Sequence, residues 1–242
     1  MTVVVGLDTA TPATAVALLA DGAEPVERRH EPAPGERPAH AAQLLPLARE
    51  VLAEAGLGWP AVDRIGVGVG PGTFTGLRIG VATARALAQA AGADTVPVST
   101  LEALASAAAA SDPARPDRPV AAILDARRGE AFVAAWRAGE RVLAPSAVAP
   151  EHLAQTLGTA RDPGAEAWLA VGDGAIKFRL QLEPAAVTVP ADDSPLHRVS
   201  ALAICRLALR SPAVAREALV PEYVRAPDAV ERTSRPPTGP TP

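Results

Sequence analysis

One cysteine, one tyrosine and three phenylalanines in 242 residues are the scarcities that narrow this sequence first. Cys205 has no intramolecular disulfide partner, which suits a reducing compartment. It sits beside Ile204 and Leu207 in an apolar helical run, where a thiol packs rather than reacts. Aromatic residues make up 3% of the chain and the formal net charge is −4, so an independent nucleic-acid binder, with stacking platform and basic patch, is not expected. No basic segment followed by an apolar core opens the sequence, and no run reaches the ~18 apolar residues of a membrane span. The expectation is a soluble, cytoplasmic protein without membrane contact. The histidines are His30, His40, His152 and His197, and none stands four from another, so the helical pair that shares a metal is missing. A Gly-x-Ser-x-Gly elbow is missing too. No catalytic residue and no metal ligand is assigned.

What is present is a chain 48% hydrophobic with mean hydropathy +0.14, enough for one large core or two modest ones. Its most distinctive stretch is Gly70-Pro71-Gly72-Thr73-Phe74-Thr75-Gly76-Leu77-Arg78-Ile79-Gly80, which joins an apolar strand to a long helix. A phosphate loop of the Walker type needs a lysine that this stretch lacks, and Gly68, Gly70 and Gly72 never complete the dinucleotide pattern Gly-x-Gly-x-x-Gly. A tight turn remains, with Thr73 or Thr75 as N-cap. Gly76, Gly80, Ala84 and Ala88 recur every four residues and share one helix face. Leu77, Ile79, Val81, Leu87 and Ala91 extend apolar character around more of the circumference than one core requires. A second helix is predicted over 40–55, where Leu44, Leu45, Leu47, Ala48, Val51 and Leu52 fill a broad arc. Two readings stand for this pair: helices buried in their own domain, or a partner-binding face.

Along the chain, Val3 to Leu7 reads as a strand ending at Asp8, followed by the turn Thr9-Ala10-Thr11-Pro12 and a strand from Thr14 to Leu19. Proline, glycine and charge interrupt the pattern around 31–38. Further strands are predicted at 65–69 and 96–98, the latter leading into a capping box with Ser99 or Thr100 as cap and an alanine-rich helix. The proline-rich stretch 111–119 reads as an exposed linker. Beyond it, Ala121-Ala122-Ile123-Leu124-Asp125, Arg127-Arg128-Gly129-Glu130 and Ala131-Phe132-Val133-Ala134-Ala135 repeat the physical order of the first hairpin. Aligning Asp8 with Asp125 sets Val16-Ala17 on Val133-Ala134. The expected organisation is a duplicated α/β chain: a first lobe over 1–110 carrying the partner-binding helices, a second over 111–228 whose last helices pack back on the first, and a disordered tail over 229–242. Facing lobes would bring Asp8 and Asp125 to one cleft, where aspartates orient magnesium or water, unless each only caps its own turn.

These segments, with Pro221-x-Tyr223-x-Arg225, occur in the order seen in the TsaB (YeaZ) family, which this sequence resembles over residues 3–226. The resemblance implies an actin-like ATPase fold, the class of sugar kinases and heat-shock ATPases, with two lobes of mixed sheet plus helices. It implies a dimerisation subunit of the machinery that threonylcarbamoylates the adenosine next to the anticodon in tRNAs reading codons that begin with adenine. On that basis the chain is not an enzyme by itself. It supports a TsaD-type transferase subunit, docks a TsaE-type ATPase, meets tRNA only through the complex, and forms a homodimer when alone. The helices beginning near His40 and Thr73 would then form the partner interface, through Leu45, Leu52, Gly76, Arg78, Gly80 and Ala84. Gly80→Leu is accordingly expected to abolish association while the monomer stays folded. Asp8, Thr9, Asp125, Gly172, Asp173 and Gly174 match the nucleotide-contacting positions of the fold in outline, and ATP binding by this subunit alone is not expected. The alternatives are a stand-alone nucleotide-binding regulator, or a small hydrolase or kinase of the same fold.

Overall fold

The computed structural model describes residues 2–162 and 164–224. The expected tail over 229–242, and Arg225 of the last motif, lie outside the described residues. The first half of the chain runs β1 (Val3–Asp8), β2 (Thr14–Ala20), β3 (Val26–His30), α1 (His40–Glu54), β4 (Arg64–Gly70), α2 (Phe74–Ala91), β5 (Asp94–Ser99) and α3 (Thr100–Ala110). The second runs β6 (Val120–Arg127), β7 (Glu130–Arg137), β8 (Glu140–Val148), α4 (Leu153–Thr159), β9 (Trp168–Val171), α5 (Asp173–Lys177), α6 (Arg179–Leu182), β10 (Val187–Thr188) and α7 (Ala201–Arg210).

The two halves build the same sheet. One has the order β3-β2-β1-β4-β5 and the other, reversed, β8-β7-β6-β9-β10. In each, the three-strand meander is antiparallel and the last two strands join it in parallel. The duplication read from the sequence is therefore present, with its register corrected by one residue. Leu7 faces Val16 and Leu124 faces Phe132, so Val16-Ala17 corresponds to Phe132-Val133. Strands β3 and β8 were not anticipated. Both are sheet edges, and sequences such as Val-Glu-Arg-Arg-His form an edge because its exposed side tolerates charge.

Apolar residues on both faces of each central strand require helices on both sides. On the first sheet, α1 and α2 cover one face through Leu44, Leu47, Val51, Val81, Ala84 and Ala88, and α7 covers the other through Ile204, Cys205 and Ala208. On the second sheet, α3 covers one face with Leu101, Leu104 and Ala108, while Leu153 and Leu157 of α4, Phe178 between α5 and α6, and Leu182 of α6 cover the other. The inner helices are thus exchanged: α3 follows the first sheet but covers the second, and α7 follows the second but covers the first. Helix α3, the last element before residue 110, packs on both sides: Leu101, Leu104 and Ala108 on the second sheet, Ala103 with Val96 and Val98 of β5.

Helix α7 approaches closely because glycine faces it from two strands. A β-carbon at Gly6 would collide with the Ala201 carbonyl, and one at Gly66 would crowd Ala208 and Ile204. Both ends of α7 are tied to the first sheet. Glu27 of β3 accepts from Ala201 N (2.8 Å) and Ser200 Oγ (3.0 Å), placing a carboxylate at the positive end of the helix. At the other end Arg64 of β4 donates to the carbonyls of Ala208, Leu209 and Ser211. Burial pushes the Cys205 thiol well above its usual range, consistent with a packing role. Ser99 caps α3 through Glu102 N (3.4 Å), as the capping box predicts. Thr73 stands at the N-cap of α2, but its side chain makes no capping hydrogen bond. Replacing Arg64 by Ala leaves three terminal carbonyls without that donor. A loss of about 1.5–3 kcal/mol in urea unfolding is expected; an unchanged midpoint would mean the guanidinium contributes nothing to holding α7.

Candidate functional site

The outer layer of the first sheet carries the candidate partner face. The ladder Gly76, Gly80, Ala84 and Ala88 is buried, and it faces inward. A β-carbon at Gly76 would collide with the Thr9 carbonyl and one at Gly80 with the Thr9 hydroxyl, which itself donates to the Gly76 carbonyl at 2.8 Å. Leu52 is likewise within the core of the first sheet. Four of the six residues expected at a partner interface are therefore interior, which corrects that expectation; Leu45 and Arg78 are exposed. Gly80→Leu must disturb the fold before it can disturb association.

The outward face of α2 is a second ladder, two positions away: Phe74, Arg78, Ala82, Ala86 and Ala90, all exposed. Two residues turn a helix by about 200°, so the two ladders are nearly opposite. At its N-terminal end Phe74 stacks on Tyr223 with centroids 5.6 Å apart. The Arg78 guanidinium lies 3.8 Å from the Phe74 ring centroid, and its Nε donates to Tyr223 Oη at 3.3 Å. Tyr223 is held there because Glu222 N donates to the Val69 carbonyl at 2.7 Å. On neighbouring α1, Ala41, Ala42, Leu45 and Ala53 are exposed. Phe74 (45%), Leu45 (48%) and Tyr223 (38%) are among the most exposed large apolar or aromatic residues of the described chain. The four-residue spacing was legible, but it fits both ladders. The glycines were the available signal, since a helix needs glycine where another backbone comes close. His40 opens α1 in a polar contact, its Nδ1 2.8 Å from Thr14 Oγ1, and burial lowers its pKa with a contribution from His30.

The residues matched to nucleotide positions lie at equivalent ends of the two sheets, where Thr9 bonds α2 and Asp125 is engaged with Asp173. Asp8 is buried; its Oδ1 accepts from Ala10 N (3.1 Å) while Oδ2, and the nearby Thr100 Oγ1, have no hydrogen-bond partner among the described residues. Gly68 gives Oδ2 its space. Burial raises the Asp8 pKa to about 7, only partly offset by Ala10 N. Asp125 is ion-paired with Lys177 (2.9 Å) and Arg127 (3.2 Å). Its backbone N donates to Asp173 Oδ1 at 2.9 Å, and burial pushes the Asp173 carboxyl up. Gly172 and Gly174 press against the backbone of Ile123 and Leu124, so they serve a close approach to β6. None of these residues lines the cavity of about 720 Å³ that opens beside α3. Among the described residues, no group of three or more metal-ligating side chains occurs and no helix is long and apolar enough to cross a membrane.

Asp8 generates a pH dependence. Its folded pKa lies above the unfolded 3.8, so the native state holds the extra proton, and the associated stability is full below about 4 and lost as pH rises through about 7. Asp8→Asn is expected to remove that slope and to be more stable than wild type at pH 8, by a few kcal/mol at most. Urea unfolding at pH 5 and pH 8 checks this; a parallel pH dependence in both proteins would refute the assignment.

The family profile described as TsaD: tRNA N6-adenosine threonylcarbamoyltransferase matches residues 35–206. The tRNA threonylcarbamoyladenosine biosynthesis protein TsaB of Escherichia coli is 32% identical over 238 residues, covering 92% of this chain and 94% of that protein. A shorter match to the Haemophilus influenzae TsaB, 40% over 126 residues, spans 52% of this chain and 50% of that protein. The solved structure of YeaZ from Pseudomonas aeruginosa superposes with TM-score 0.73 at 32% identity, covering 92% of this chain and 100% of the other. A ROK hexokinase from Thermus thermophilus, at TM-score 0.53 and 14% identity over 86% of this chain and 100% of that one, shares the fold alone. The duplicated sheets with exchanged helices are thus the actin-like ATPase architecture, and the chain belongs to the TsaB (YeaZ) family of tRNA threonylcarbamoyladenosine biosynthesis.

Proposed function

We propose that this chain is a non-catalytic scaffold subunit for threonylcarbamoylation of the adenosine next to the anticodon. In this reading the outer face of α1 and α2 packs against the corresponding helices of a TsaD-type transferase subunit in the cytoplasm. A TsaE-type ATPase docks on that heterodimer, and tRNA is met only by the assembly. The observation that carries the reading is the exposed ladder of Phe74, Arg78, Ala82, Ala86 and Ala90 beside Leu45. Alanines let a second helix approach closely, while Phe74 and Leu45 supply apolar area that water otherwise covers. The same face, meeting itself about a two-fold axis, gives a homodimer when the partner is absent.

The scaffold holds no nucleotide by itself in this reading. Asp125 is already ion-paired with Lys177 and Arg127, and the burial of Asp8 disfavours its charged form, so neither presents an open carboxylate to magnesium.

Sedimentation velocity of the chain alone and mixed with its TsaD-type paralogue tests the interface. Ala86→Arg is expected to weaken both associations by more than about tenfold with unchanged thermal unfolding. Gly80→Leu is expected to lower the melting temperature instead. Undiminished association of Ala86→Arg would sink the assignment of this face. Saturating ATP is expected to leave the melting temperature of the isolated chain unchanged; a rise of several degrees would favour the nucleotide-binding regulator.

A further inference from the structure

A second feature lies away from both the helical face and the aspartates. The cavity of about 720 Å³ is bordered by α3, the linker after it, the end of β7 and the C-terminal end of α7. Its apolar wall is Ala105, Ala109, Trp136 and Leu207, and its charged groups are Glu102, Arg118 and Arg210. The volume is that of a small-molecule site, with few polar groups set in an apolar lining.

The charged groups decide what fits. Arg118 Nε is buried without a hydrogen-bond partner among the described residues. Neither Arg118 nor Arg210 is paired with a carboxylate there, whereas Arg28, Arg115, Arg137 and Arg179 each have one. The carbonyls at the end of α7, which could have attracted Arg210, are already taken by Arg64. Two guanidiniums against Glu102 leave one net positive charge in a chain of net charge −4. A single negative charge balances it, and a guanidinium offers the parallel donors that a carboxylate accepts. The alanine floor and the Trp136 ring require an apolar body behind that charge.

We propose that this cavity binds a small organic monocarboxylate with a flat apolar body, the carboxylate between Arg118 and Arg210 and the body against Trp136. Because α3 covers one sheet and α7 the other, the ligand bridges the two lobes at their shared helices.

Indole-3-propionate is the probe, titrated into the ¹⁵N-labelled full chain and followed by two-dimensional NMR. Saturable shifts are expected at Trp136 and the amides of 105–110, with affinity about tenfold lower for the Arg118→Gln/Arg210→Gln double variant. Indole-3-propionamide, which keeps the body and loses the charge, and phenyl phosphate, which carries excess charge, are both expected to bind more weakly. Ala109→Trp, which fills the cavity from α3 without touching either arginine, is expected to abolish the shifts and serves if the double variant misfolds. Absence of saturable shifts at millimolar probe, shifts mapping elsewhere, or equal affinity in the arginine or filled-cavity variants would overturn the proposal. Tighter binding of phenyl phosphate would overturn the monocarboxylate assignment.

Discussion

The close seating of α7 on the first sheet is the constraint on which the rest of the molecule depends. It requires the strands to present no side chain at Gly6 and Gly66, and it is completed by Glu27 at one end and Arg64 at the other. Beside α7, α3 turns Leu101, Leu104 and Ala108 to the second sheet while Ala103 meets α7 and β5. Each lobe then relies for half of its cover on a helix from the other half of the chain, so neither sheet can be detached without exposing an apolar face. Contacts so distant in sequence raise the contact order of the chain, although the sheets are repeats.

The same close-approach logic fixes the outer layer. Thr9 follows β1 and rests directly on α2, with its hydroxyl on the Gly76 carbonyl and its own carbonyl where a Gly76 side chain would be. The glycine run after β4 is thus an internal seat for the first hairpin. Asp8, next to Thr9, is buried, and that burial raises its pKa to about 7. The corresponding Asp125 of the second lobe is instead ion-paired with Lys177.

Much of this was legible in the sequence. The strand-turn-strand order around Leu7-Asp8 and Leu124-Asp125 gave the duplication, and Ser99 with Glu102 gave the start of α3. The edge strands β3 and β8 were not legible, because their charge and proline resemble loops until a neighbouring strand accepts their hydrogen bonds. The return of α7 to the first sheet was expected, but the placement of α3 was hidden, since an alanine-rich helix does not state which sheet it covers. The candidate face was half legible: helix and spacing were correct, but periodicity alone cannot say which of two opposite small-residue ladders points outward. Phe74 and Tyr223 were the residues missed as a pair, because only the fold brings positions so far apart into stacking contact.

The two repeats differ most in their outer helices. In the first lobe the outer helices are α1 and α2, of 15 and 18 residues. Their counterparts in the second lobe are α4, of 7 residues, and α5 and α6, of 5 and 4. A helix of a few residues is nearly consumed by covering its sheet; α4 turns Leu153 and Leu157 inward and has little length left. A helix of four or five turns presents a continuous outer surface as well. On α2 that surface is alanine rather than the lysine and glutamate that keep an exposed helix solvated, so its composition gains nothing from facing water. Exposed alanines in register, ending in an aromatic pair beside Arg78, therefore make the long outer helix of the first lobe the feature on which the proposed interface rests, and the shorter outer helices of the second lobe offer no such length among the described residues.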